Sequence, residues 1–161
     1  MNKLRMVIRE LHRSESDLGH DLMGMSDRYA SDHEIYHLAR DLSRWSQEHV
    51  TQLAETGRRY DLNLDRDVDG KPGLLATVQQ KTAKLLRRRP EPALLLLIEL
   101  RKLYRDASGV SLDWELLGQA AQAAKDRQLL ALAQRCHPET LRQARWANAK
   151  LKELSPQALV S

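Results

Sequence analysis

The chain has 161 residues, enough for one compact domain and too few to suggest two independent cores. Its 26 Lys and Arg stand against 22 Asp and Glu, and a net charge of +4 spread over mixed sequence does not imply wholesale nucleic-acid binding. A single cysteine, Cys136, precludes an internal disulfide, the charged start MNKLRMVIREL lacks the apolar stretch of a signal peptide, and the longest apolar run, 93–98, falls far short of the roughly 20 residues of a membrane span. The expectation is a soluble cytoplasmic protein with no membrane partner.

In chain order, Leu4, Ile8, Leu11, Leu18, Leu22 and Met25 follow the 3.6-residue period and predict an amphipathic helix over 2–28. Ser31-Asp32-His33-Glu34 reads as a capping box, since a Ser hydroxyl and a Glu carboxylate three residues apart can each satisfy a free N–H at a helix start. A second helix is therefore expected over 32–58, with Ile35, Leu38, Leu42, Trp45 and Leu53 as its stripe and Gly57-Arg58-Arg59 as its end signal. Residues 59–90 form a long connection. Its first part, YDLNLDRDVDGKP, is dense in turn formers, and a short helix is expected over 74–88. Pro92 suits the first turn of a third helix over 92–124, which Ser108-Gly109 should weaken in the middle. A fourth helix is expected over 126–153 with Leu130, Ala133, Leu141, Ala144 and Leu151 on one face and a kink at Pro138. Short links make antiparallel neighbours, so the chain reads as one all-α domain over 1–161, two helical hairpins joined by a long crossover that carries an extra short helix.

Polar residues interrupt these stripes. Glu15 falls between Leu11 and Leu18 with His12 one turn before it, His49 falls between Trp45 and Leu53, and His137 falls between Ala133 and Leu141. The third helix offers Glu99, Asp106 and Asp113 near its apolar face. The short first turn puts His12, Glu15 and His49 at similar heights, and a turn near residue 125 puts His137 opposite Asp113 and one or two turns from Asp106. Imidazoles and carboxylates buried together need pairing or a metal, and this donor set suits one iron or manganese ion, with zinc also compatible.

The order and layering of these residues resemble the ferritin-like family, whose four-helix bundle carries Glu, Glu-x-x-His, Glu and Glu-x-x-His on successive helices. Here the second helix reads Ser46-Gln47-Glu48-His49 and the fourth Gln134-Arg135-Cys136-His137, so both histidines stand in place and both bridging carboxylates are absent. The C-terminal text, including Asp113-Trp114-Glu115-Leu116-Leu117 and Cys136-His137-Pro138-Glu139-Thr140-Leu141, is similar to that of actinobacterial ferritin-like proteins of undetermined function. The resemblance implies Glu15, His49, His137 and Asp106 as ligands of one metal, with His12 beside them, and any chemistry there would be redox or oxygen-linked. Loss of the bridging carboxylates equally implies a metal-free helical interaction or scaffold protein. Self-association is the partner expected in either case, and no reaction or substrate is legible.

Four other signals carry less. Glu34-x-x-His37 with Asp41 and His20 could gather a second cluster, but Glu34 is expected in the capping box. Asp65-x-Asp67-x-Asp69-Gly70 starts like a calcium loop, yet Ala76 stands where the bidentate Glu belongs. The basic run 81–89, KTAKLLRRR, has no interleaved aromatic platform and reads as a solvated helix face rather than a nucleic-acid site. Cys136 and His137, adjacent on a helix, point about 100° apart and do not make a dyad with one another.

Overall fold

The computed structural model describes residues 3–68 and 91–161, and among these every regular element is a helix. Helix α1 spans Lys3–Arg28, α2 His33–Gly57, α3 Pro92–Ala123 and α4 Arg127–Val160, with one 3-10 turn at Arg58–Tyr60. The expected short helix over 74–88, the basic run 81–89 and the end of the acidic loop 65–70 lie outside the described residues.

The α1/α2 hairpin closes through Tyr29 N–H to the Met25 carbonyl and Asp32 N–H to the Tyr29 carbonyl. Its cap differs from the expected one. Asp32, not Ser31, accepts from the Ile35 amide at 3.1 Å. With the cap at Asp32, Glu34 occupies the second helical position and cannot reach back to close a capping box, so it pairs instead with Lys150 Nζ at 2.5 Å.

The α3/α4 turn is tighter. Lys125 adopts φ 57°, while Asp126 N–H bonds to the Ala121 carbonyl and Lys125 N–H to the Gln122 carbonyl, which is a Schellman closure with lysine where glycine is usual. Asp126 then caps α4 by accepting from Leu129 N at 3.0 Å, and it also receives Arg59 and the Tyr60 hydroxyl from the end of α2. These contacts hold its carboxyl below the usual range even though burial works the other way. Neither Gly109 nor Pro138 interrupts its helix, and α4 runs beyond the expected end at 153, through Pro156.

Core positions recur every three or four residues. They run through Ile8, Leu11, Leu18, Leu22 and Met25 on α1 and through Leu97, Leu100, Leu103, Val110, Trp114 and Leu117 on α3. On α2 the buried row is Ile35, Ala39, Leu42, Ser46, His49, Val50 and Leu53, while Leu38 is exposed and Trp45 only partly buried. On α4 it is Leu129, Leu132, Ala133, Cys136, Thr140, Gln143 and Ala147, with Leu141 exposed. That row is turned by about one residue from the expected one: Cys136 faces the core and His137, half-buried, flanks it.

Asp126→Ala should remove a cap and the contacts with Arg59 and Tyr60 at once and destabilise the fold by about 1–2 kcal/mol in urea titration. Lys125→Gly should do the opposite, relieving a left-handed lysine and raising stability by up to about 1 kcal/mol in the same assay.

Candidate functional site

The polar centre of the bundle begins with Glu15, which α1 places in its buried row although its neighbours there are leucines. A carboxylate in such surroundings demands donors. Two arrive at the same oxygen: His49 Nδ1 from α2 at 2.8 Å and Trp114 Nε1 from α3 at 2.7 Å, both from residues that are themselves fully buried. The imidazole and indole rings meet edge to face with centroids 5.7 Å apart, so geometry fixes both donors.

The other side of His49 faces α4. Its Nε2 lies 3.5 Å from Glu139 Oε1, too far for a strong hydrogen bond, and has no hydrogen-bond partner; Glu15 Oε2 has none either. Burial disfavours a charge on His49, but the nearby Cys136 thiol and Glu15, whose Oε1 bonds to Nδ1, outweigh it and push its pKa up to about 10. Cys136 Sγ in turn sits 3.6 Å from Gln52 Oε1, one turn along α2 from His49.

A second network lies one turn from the first. Gln143 Nε2 donates to the Leu42 carbonyl and to Ser46 Oγ, each at 2.9 Å. Here α1 and α2 approach closely, because a methyl group on Gly19 would sit 3.2 Å from the Ser46 side chain.

Of the five residues expected to gather round a metal, Glu15 and His49 meet. His12 Nε2 is bonded to the Asp65 carbonyl at 2.7 Å. Asp106 pairs with Lys102, which also reaches Asp21 at 2.8 Å, in an open groove of about 230 Å³ between α1 and α3. His137 stands beside the core row rather than in it. Among the described residues no three His, Cys, Asp or Glu side chains are grouped as a metal site requires. The second expected cluster is dispersed too: Glu34 is taken by Lys150, Asp41 pairs with Arg44, and His20 lines the α1/α3 groove.

Sequence reading missed Cys136, Glu139, Gln143 and Ser46 as members of the polar layer. The signal that could have found them is the spacing Leu129, Leu132, Cys136, Thr140, Gln143, Ala147, a regular row disguised by its small and polar members. Compared with known proteins, the chain matches no family model, no curated sequence and no solved structure.

Two outcomes follow from the geometry. Trp114→Phe keeps an aromatic ring but removes a donor from a buried carboxylate and leaves a small cavity, and should lower unfolding free energy by about 1.5–3 kcal/mol. His49 has a folded pKa above its unfolded value near 6.5. Its contribution is therefore complete below about pH 6.5 and is lost as pH rises toward 10. Stability measured across that window should fall with a slope of up to about 1.4 kcal/mol per pH unit more steeply in the wild type than in His49→Gln.

Proposed function

We propose that this chain is a ferritin-like bundle whose central layer is closed by protein groups and which serves as a helical interaction or scaffold protein. The topology supports the family reading. The contacts Glu15 with His49 and Ser26 with Tyr36 run α2 antiparallel to α1, and Arg28 with Glu99 and Glu15 with Trp114 run α3 antiparallel to α1. Helices α2 and α3 then point the same way, which fits the long crossover of this arrangement better than a simple up-down bundle.

The observation that carries the functional reading is the double donation of His49 and Trp114 to one oxygen of Glu15, which spends the first-helix carboxylate and the second-helix imidazole on each other. Where the family resemblance would place a bridging carboxylate, Ser46 packs against Gly19 and holds Gln143, leaving little room for a longer side chain. An interaction role also suits Leu112 and Leu116, one turn apart on α3 and each about 60% exposed. The competing reading, one bound iron, manganese or zinc ion, draws on the two buried atoms without partners, Glu15 Oε2 and His49 Nε2.

Metal analysis of protein purified without an affinity tag separates the two. The scaffold reading expects well under one equivalent of metal, unchanged in His49→Ala. Stoichiometric iron, manganese or zinc that disappears in that variant would overturn it.

A further inference from the structure

Near the start of α3, its outer seam with α4 opens into a hollow of about 370 Å³. Buried Leu97 and Leu151, packed against the core, form its floor. Leu94, Ile98 and Leu159 stand along its sides at 38%, 48% and 65% exposure, so a continuous strip of hydrocarbon faces solvent. From Leu151 to Leu159 the strip follows α4 for about 12 Å at the helical rise. Its charged lining groups are Arg101 and Lys152, both exposed, and neither pairs with a carboxylate among the described residues. The acids next to them in sequence are engaged elsewhere, Glu99 with Arg28 and Glu153 with Lys150. The tight turn at 124–126 makes α3 and α4 antiparallel, so Leu94 and Leu159 share the end of the hollow nearest the start of α3, and Arg101 and Lys152 lie further in. Arg101 is itself roughly 20 Å along α3 from Trp114, well outside the polar layer.

We propose that this hollow binds the anion of a medium-chain fatty acid, with the alkyl chain over Leu97 and Leu151 and the carboxylate on Arg101 and Lys152. Walls of this kind suit a chain without hydrogen-bonding groups of its own, since a polar group buried there would go unpaired. The two cations give the hollow a polarity: a negative head is drawn to one end of it, and a positive head is repelled. A guanidinium holds a carboxylate through two parallel hydrogen bonds, and a lysine adds a mobile point charge. A macromolecular partner fits less well. Stable protein interfaces bury on the order of 800 Å² on each side, more than a strip little longer than two helical turns provides.

The test titrates the full chain calorimetrically with dodecanoate below its micelle-forming range. Dodecyltrimethylammonium, the same chain length with a cationic head, is the comparison. One dodecanoate should bind per chain with a Kd of about 0.1 mM or tighter, and the ammonium amphiphile at least about tenfold more weakly. Arg101→Glu and Lys152→Glu alter exposed side chains and should each weaken dodecanoate binding at least about tenfold. Ile98→Glu, also at an exposed position, should abolish it while helix content by circular dichroism is unchanged. Absence of saturable dodecanoate binding to the wild type overturns the proposal outright. Equal affinity for the two amphiphiles, or dodecanoate affinity unaltered in both charge variants, overturns it as well and shows adsorption to a greasy surface. A dimer that fails to bind dodecanoate and is dissociated by Ile98→Glu would assign the hollow to a second copy instead.

Discussion

Everything in the middle of this bundle depends on finding donors for one buried carboxylate. Glu15 sits in a row of leucines, and an isolated ionised carboxyl there would be displaced by several kcal/mol of desolvation. The fold answers with His49 from α2 and Trp114 from α3 on the same oxygen, so one side chain of α1 binds two other helices through directional bonds. Apolar packing alone tolerates sliding between helices; a carboxylate that must meet two fixed donors does not. The layer therefore sets the register of three helices as well as filling space.

The fourth helix joins the layer by a different route. It offers no acid to Glu15 or to the indole, but brings Glu139 to the far side of His49, Cys136 into the buried row and Gln143 to Ser46. The imidazole is consequently the pivot between Glu15, bonded to its Nδ1, and Glu139, 3.5 Å from its Nε2. That division explains how the same residue can stabilise the bundle and still have an unpartnered nitrogen. Cys136 lies in the core and the neighbouring His137 at its edge because, on a helix of 3.6 residues per turn, a shift of one position rotates a side chain by about 100°.

Polar groups outside the centre are handled by local pairing. Lys102 sits between Asp21 and Asp106, and Lys150, buried on α4, reaches Glu34 and Glu153. In both cases hydrogen bonds to carboxylates raise the lysine pKa against the opposing effect of burial. Asp126 does the same work at the hairpin end, where it joins the start of α4 to Arg59 and Tyr60 at the end of α2. Glu34, read in the sequence as a candidate ligand, is here a tie point between α2 and α4.

The sequence by itself determined the four long helices, their approximate ends and the presence of an acid and an imidazole inside them, because a 3.6-residue apolar period and turn-forming residues are local properties of the chain. It also marked Glu15 and His49, since each interrupts an otherwise apolar stripe. Tertiary structure alone decided which polar residues meet. The stripes of α2 and α4 are wide and contain Ser46, Cys136, Thr140 and Gln143, so apolar residues such as Leu38 and Leu141 suggested a phase that packing rotated away. Asp106 and His12 lay near the right faces and heights, yet a lysine and a loop carbonyl claimed them first. Such outcomes turn on a rotation of one residue or a partner from another segment, and neither is encoded in the periodicity of a single helix.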